Sequence, residues 1–180
     1  MPSSIENYVP QNAVAQMRQR AVFVWSAFSF LVAAWVFLIV LAALAEANNF
    51  SSVSNPIYNF FGYLCHQNPE RSFAFHEHAF AVCSRCFGVY FGLFFGFLIY
   101  PLLRSIEETE PLPRFWLFLA TIPMAIDWLL GVFGVWENTH LSRFLTGAIL
   151  GAACAIFIVP ALVEVFGFLT SKRQVKRLSR

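Results

Sequence analysis

The sequence predicts an all-α integral membrane protein, a four-helix bundle that carries an extracytoplasmic Cys/His loop. Hydrophobic residues make up 58% of the chain and charged residues 12%, whereas about a quarter of a soluble domain is charged. Four apolar runs are long enough to cross a bilayer, and most basic residues lie on one side of them. The apolar runs lead us to expect the lipid bilayer and other membrane subunits as partners. Because the net charge is only +2 and the basic residues are local, we expect no nucleic acid.

The four membrane-spanning helices are expected over residues 21–45, 80–103, 115–136 and 144–169. As a helix, the first run extends about 37 Å, which exceeds the ~30 Å hydrocarbon core. It is also longer than the apolar region of a signal peptide, so we expect it to stay as a helix. The predicted organisation is therefore a cytoplasmic arm over 1–20, a membrane domain over 21–170 and a basic cytoplasmic tail over 171–180.

The distribution of Lys and Arg predicts how the helices are oriented. Nine of the twelve basic residues fall in segments that share one side of the membrane: Arg18, Arg20, Arg104, Arg114, Lys172, Arg173, Lys176, Arg177 and Arg180. Only Arg71, Arg85 and Arg143 fall on the other side. The positive-inside rule then predicts a multi-pass protein of the cell (inner) membrane with both termini in the cytoplasm. The loop over 55–86 and the short connection over 137–143 are expected outside.

The outer loop gathers ligands that suit a soft metal ion. Residues 65–88 hold three of the four cysteines and three of the four histidines. Cys83 and Cys86 form a Cys-x2-Cys pair at the start of the second helix, and Cys65 lies upstream. The predicted ligands are these three cysteines with His78 or His66, while His76 and His140 remain alternatives. Zinc is the default metal for four sulfur and nitrogen ligands, although Cu(I) and iron accept similar sets.

The same cysteines admit two other interpretations. Cys83 and Cys86 at the outer mouth of a bundle superficially resemble the dithiol of the quinone-linked disulfide-forming membrane oxidoreductases, with quinone as the cofactor. A helix N-terminus beside Arg85 would lower a thiol pKa there. However, those enzymes use two dithiol pairs, and the remaining cysteine, Cys154, lies inside the fourth helix. A structural disulfide of Cys65 is the third interpretation, so the sequence leaves open whether the protein is an enzyme.

Polar residues within or beside the membrane form the second group of candidates. Asp127 is expected about 13 Å below the outer end of the third helix, where an unpaired carboxylate is costly. Arg85 and Arg143 approach from the same side, so either is an expected partner. A small transporter that uses Asp127 is the second functional alternative. Gln67 and Arg71 are expected to support the metal ligands through hydrogen bonds.

Small residues recur on two of the predicted helices. Gly88, Gly92 and Gly96 repeat every fourth position on the second helix, and Gly147 and Gly151 repeat on the fourth. Such stripes let membrane helices approach closely, so we interpret them as packing surfaces.

Several of these motifs together resemble a known family. The elements CHQ, PERSF and VCSRCFGVYFG, followed by an Asp-bearing helix and LSRFLTG, are similar to the prokaryotic multi-pass membrane family called domain of unknown function 2085. The similarity covers about residues 60–164. Its matching residues are Cys65, His66, Gln67, Pro69, Glu70, Arg71, Ser72, Phe73, His78, Cys83, Arg85, Cys86, Gly88, Tyr90, Gly92, Asp127, Arg143, Thr146 and Gly147. Glu77 and Ala81 stand where the family pattern has Gly and Pro. The resemblance implies a membrane fold and a shared site, and it supplies no activity.

Overall fold

The structure, a computed structural model, describes residues 11–108, 110 and 112–178, with side chains described from 15 to 169 within those ranges. The expected arm over 1–20 and tail over 171–180 therefore lie partly outside the described residues. The described α-helices are α1 (Gln11–Ala47), α2 (Ser51–Gly62), α3 (Ser84–Leu103), α4 (Phe115–Val132) and α5 (His140–Leu178). A 3₁₀ turn (Pro69–Arg71) and two short strands, β1 (Ala74–Phe75) and β2 (His78–Ala79), lie between α2 and α3.

Four of these helices are long and apolar enough to cross a membrane. The candidate spans are Ala15–Ala47, Ser84–Leu103, Phe115–Val132 and His140–Leu169. This confirms the predicted fold class, an all-α membrane protein with four spanning helices. The helix that Cys83 caps and the helix that contains Asp127 are both among them.

The second spanning helix begins four residues later than the apolar run suggests. Cys83 is extended, with φ −65° and ψ 158°, and serves as the N-cap of α3. The preceding residues bond elsewhere, since the Ala81 N–H donates to the Ile39 carbonyl of α1 at 3.3 Å. The apolar run begins at Phe80 because that side chain packs in a core cluster. The residue itself is outside the helix.

The connection between α4 and α5 is also shaped by local backbone chemistry. The third apolar run continues to Trp136, but α4 ends at Val132 and Gly134 has φ +67°. A residue in this left-handed region terminates a helix, and glycine adopts it without steric penalty. α5 then begins at His140, where the Thr139 hydroxyl accepts the Ser142 N–H at 3.1 Å.

The short helix before the cysteines begins earlier than its proline suggests. Proline is favoured in the first turn of a helix, yet α2 spans Ser51–Gly62 with Pro56 well inside it. The Phe50 carbonyl accepts from the N–H groups of Val53 and Ser54, so the first turn forms ahead of the proline. The Ser54 hydroxyl also hydrogen-bonds to Glu46 of α1, which fastens α2 to that helix.

The hairpin of β1 and β2 turns through two residues with positive φ. β1 and β2 pair antiparallel, with Phe75 opposite His78. The turn residues His76 and Glu77 have φ +45° and +70°. Glycine is favoured in that conformation, so Glu77 occupies a backbone position at which the resemblance leads us to expect Gly.

Helices α3 and α5 approach so closely that side chains are excluded between them. A Cβ added to Gly88 would overlap the backbone of Phe144, and one added to Gly92 would overlap the backbone of Ala148. From the other side, a Cβ on Gly147 would overlap the Arg85 carbonyl. From Gly88 and Phe144 to Gly92 and Ala148, the contact moves four residues towards the C-terminus on both helices. α3 and α5 therefore run parallel and start at the same end. The predicted role of the glycine stripes in helix packing is thereby confirmed.

One end of the bundle carries a compact core around Cys65, and we call it the cysteine end. The buried residues of this core are Ile39, Ala42, Phe61, Cys65, Ala81 and Val82. They come from α1, α2 and the loop before α3. This loop is therefore part of the folded core at the cysteine end, although it contains little regular secondary structure.

Adding one methyl group between α3 and α5 should destabilise the bundle. Gly92→Ala is expected to lower the free energy of unfolding by about 2 kcal/mol, because backbone atoms must move to admit the Cβ. Thermal unfolding of the detergent-purified protein measures this change. Gly167→Ala is the matched control on α5, because its Cβ would meet nothing within 4 Å. Equal melting temperatures for the two variants would contradict the close α3–α5 approach.

Candidate metal centre

Three cysteine sulfurs converge at the cysteine end. The Sγ atoms of Cys65, Cys83 and Cys86 all lie within 4.8 Å of one another, and all three thiols are free. Tetrahedral zinc binds sulfur at about 2.3 Å, which separates two coordinated sulfurs by about 3.8 Å. The sulfur group is thus close to the spacing that one metal ion requires, and small side-chain shifts suffice to reach it.

Each cysteine is positioned by a different piece of backbone. Cys65 follows α2, and its N–H donates to the Phe61 carbonyl at 2.9 Å, which continues the helical path. Cys83 is the extended residue that caps α3, and Cys86 lies in the first turn of that helix. The sulfur group therefore joins the end of α2 to the start of α3. Cys65 is buried and the other two cysteines are half-buried.

Gln67 holds the intervening loop in place. Its Nε2 donates to the carbonyls of Tyr58 and Ala81, both at 2.8 Å. The Tyr58 hydroxyl in turn donates to the Ala79 carbonyl at 2.5 Å. These bonds connect α2 with the segment that leads to Cys83. Gln67 thus supports the site by binding one backbone carbonyl in α2 and one in the segment before Cys83.

The local electrostatics favour a thiolate at Cys65. The Cys83 backbone N–H donates to the Cys65 sulfur at 3.3 Å. Hydrogen bonds from the Cys83 and Cys86 thiols, together with this N–H group, lower the pKa of Cys65 well below its ordinary value. The N-terminus of α3 also favours negative charge nearby. A metal ion binds the thiolate form, so these groups prepare the sulfur for coordination.

The four histidines lie around the sulfur group without joining it. Among the described residues, no histidine nitrogen comes within 4.8 Å of all three sulfurs. His66 and His76 are exposed, and His78 is half-buried in β2. His140 begins α5, where its Nδ1 lies 3.0 Å from the Ser84 hydroxyl. The structure therefore brings together the three predicted cysteine ligands and leaves the predicted fourth ligand, His78 or His66, outside the group.

A buried ion pair lies beside the cysteines. Asp127 of α4, whose exposed fraction is 8%, pairs with Arg85, which stands between Cys83 and Cys86. Arg85 is one of the two arginines expected as its partner. Asn138 also contributes, since its Nδ2 donates to the Asp127 backbone carbonyl at 2.5 Å and to the carboxylate at 3.0 Å.

Asn138 had not been predicted to bind Asp127. Its position in the short connection over 137–143, next to the end of α4, was the available signal. A buried carboxylate near that connection requires donors, and an Asn in the turn supplies them.

Comparison with known proteins places these residues in one family. The model of a family described as a predicted membrane protein, domain of unknown function 2085, matches residues 65–157, just over half of the chain. The chain belongs to this family. The match begins at Cys65 and covers the sulfur group, α3, α4 and the first half of α5.

Two archaeal proteins are similar over much of their length. An uncharacterized protein of Methanocaldococcus jannaschii is 37% identical over 125 residues, which cover 69% of this chain and 80% of the relative. An uncharacterized protein of Methanothermobacter thermautotrophicus is 41% identical over 96 residues, covering 53% of this chain and 85% of the relative. No solved structure matches the chain.

Removing the Asp127 charge should destabilise the packing of α4. Asp127 is the only buried residue of that helix, so Asp127→Asn leaves the Arg85 charge uncompensated where α4 meets the start of α3. Breaking a buried pair costs about 3 kcal/mol or more, which thermal unfolding in detergent detects. Glu107→Gln is the matched control, because the Arg18–Glu107 pair spans 3.5 Å between exposed side chains and is expected to contribute less than about 1 kcal/mol. A mild effect of Asp127→Asn, similar to that control, would refute this role.

Proposed function

We propose that this membrane protein binds one metal ion, zinc by preference, through Cys65, Cys83 and Cys86. The observation that supports the proposal is the convergence of three free sulfurs within 4.8 Å. Three thiolates with the fourth position filled by nitrogen or water suit zinc more than hard cations such as magnesium. The hydrogen bonds that reach Cys65 from Cys83 favour the same thiolate chemistry.

The ion has a structural role in this proposal. Its ligands lie at the end of α2 and at the start of α3, which are separated by 21 residues with only a 3₁₀ turn and two two-residue strands. A bond network through one ion would fix both ends of this loop, as structural zinc sites do in small domains. Loss of metal should therefore loosen the cysteine end and leave the apolar helices in the membrane.

The site is expected on the extracytoplasmic side of the cell membrane, with both termini in the cytoplasm. The distribution of basic residues supports this orientation. Thiols on that side are exposed to oxidation unless they are coordinated, so coordination would preserve them. We propose that the metal-bound loop acts as a structural or accessory module of an envelope complex of membrane subunits.

A thiol-disulfide oxidoreductase is the second candidate function. Cys83 and Cys86 are close enough to form a disulfide after a small movement, and both lie at a helix N-terminus. In such a reaction the two thiols lose two electrons and two protons, and a quinone takes them up to become a quinol. Cys65 argues against it, because any disulfide between two of the cysteines would leave the third thiol unpaired in the same group.

A transporter that uses Asp127 has less support. A carboxylate that relays protons must exchange its proton, but Asp127 is held by Arg85 and Asn138. These contacts hold the carboxylate in one position between α3 and the α4–α5 connection. If the protein did move ions through Asp127, flux into vesicles would fall in Asp127→Asn.

The purified protein should contain about one equivalent of metal. Elemental analysis by mass spectrometry on detergent-purified protein measures it, and Cys83→Ser should reduce the content by at least tenfold, since a thiolate ligand is lost. Cys154→Ser is the matched control, because Cys154 lies in α5 and is not one of the three clustered cysteines. Metal-free wild-type protein with a Cys83–Cys86 disulfide that responds to quinone would instead support the redox alternative.

Single substitutions can identify the fourth ligand. We expect either His78→Gln or His66→Gln to weaken zinc binding by about tenfold or more in a competition assay with a chelator, because one coordinating nitrogen is removed. His76→Gln, at the exposed tip of the hairpin, is expected to leave the affinity unchanged. If all three variants keep the wild-type affinity, water or His140 completes the coordination.

A further inference from the structure

Three arginines converge at the cysteine end, next to the sulfur group. The backbone of Arg85 touches Gly147 of α5, one helical turn from Arg143. Phe73, two residues after Arg71, packs its ring 5.8 Å from that of Phe144, the neighbour of Arg143. Packing alone therefore brings the three segments together.

Only one of the three guanidinium groups is paired with a carboxylate. Asp127 pairs with Arg85, and in the described part of the chain no carboxylate oxygen lies within 4.0 Å of Arg71 or Arg143. The Nε of Arg85 is buried and has no hydrogen-bond partner among the described residues. Arg71 and Arg143 therefore keep donors available for an anion, and a bound anion would offset the repulsion between neighbouring guanidinium groups.

The helix directions add to the positive potential. α3 and α5 run parallel, so the N-termini of both helices, with their partial positive charge, lie at this end. Arg85 and Arg143 lie in the first turn of their helices, a position that corresponds to the headgroup level of a spanning helix. Guanidinium groups bind phosphate oxygens through two parallel hydrogen bonds. Arg71 and Arg143 can adopt this bidentate geometry, because neither is paired with a carboxylate among the described residues.

We propose that Arg71, Arg85 and Arg143 form a binding site for the phosphate group of an anionic ligand. The site is separate from the metal centre, although Arg85 lies between two of its cysteines. The phosphate belongs either to the headgroup of a lipid in the same leaflet or to a soluble phosphate compound. In both cases Arg71 and Arg143 supply the free guanidinium groups, and Arg85 is held in place by Asp127.

Binding to two probes tests the proposal. The full chain is purified in a maltoside detergent, which contains no phosphate, and is titrated by calorimetry with inorganic phosphate and with short-chain phosphatidylglycerol. A lipid that stays bound through purification is detected as protein-bound phosphorus by elemental analysis. Binding of inorganic phosphate indicates a soluble source, and binding or retention of the lipid alone indicates a headgroup.

Variants separate a real site from general attraction to basic protein. Arg143→Gln and the exposed Arg71→Gln are each expected to weaken binding about tenfold, the loss typical of one charged hydrogen-bond partner. Arg114→Gln, at the N-cap of α4 and far from the cysteine end in the fold, should leave binding unchanged. Elemental analysis of the same preparations gives the metal content of each variant, so a loss of phosphate binding at unchanged metal content is assigned to the arginine site and not to the metal centre.

The proposal is overturned if the wild-type protein binds neither probe and retains no phosphorus. It is also overturned if both Arg71→Gln and Arg143→Gln bind as tightly as Arg114→Gln. Because Arg71 is on the surface, its substitution should not prevent folding, and it gives a result even if Arg143→Gln is unstable.

Discussion

The close parallel contact of α3 and α5 is the constraint on which the cysteine end depends. Inside a bilayer the hydrophobic effect does not drive helices together, so association relies on van der Waals contact between surfaces that fit. The glycines of α3 and α5 supply such surfaces, and backbone meets backbone at Gly92 and Ala148. Because the two helices start at the same end, this contact also brings together the side chains of both first turns.

Arg85 connects that contact with the rest of the bundle. Its carbonyl touches Gly147, its guanidinium binds Asp127, and its neighbours in sequence are Ser84 and Cys86. α4 is otherwise peripheral, since Asp127 is its only buried residue and lipid must cover most of its apolar surface. One side chain thus links α3 to α4 directly beside the sulfur group.

Much of this arrangement could be predicted from sequence, and the exceptions have physical reasons. The apolar runs predicted the four spanning helices, because the thickness of the bilayer sets the length of a spanning helix. Their ends were less accurate, since Cys83 and Gly134 set helix boundaries through backbone dihedral angles that hydrophobicity does not report. The three cysteines were grouped correctly from their spacing. The position of each histidine relative to them depends on the path of an irregular loop, which no periodic pattern describes.

The formal charges at the cysteine end suggest why arginines and cysteines occur together. Three thiolates around a zinc ion carry one net negative charge, and Asp127 adds another. Arg85 offsets Asp127, and Arg71 and Arg143 add positive charge that no carboxylate pairs within 4.0 Å among the described residues. A monovalent ion such as Cu(I) would leave the three thiolates more negative by one unit than zinc does. The charge of the metal therefore sets how strongly the sulfur group attracts the neighbouring guanidinium groups, and a more negative centre would draw them away from any other anion.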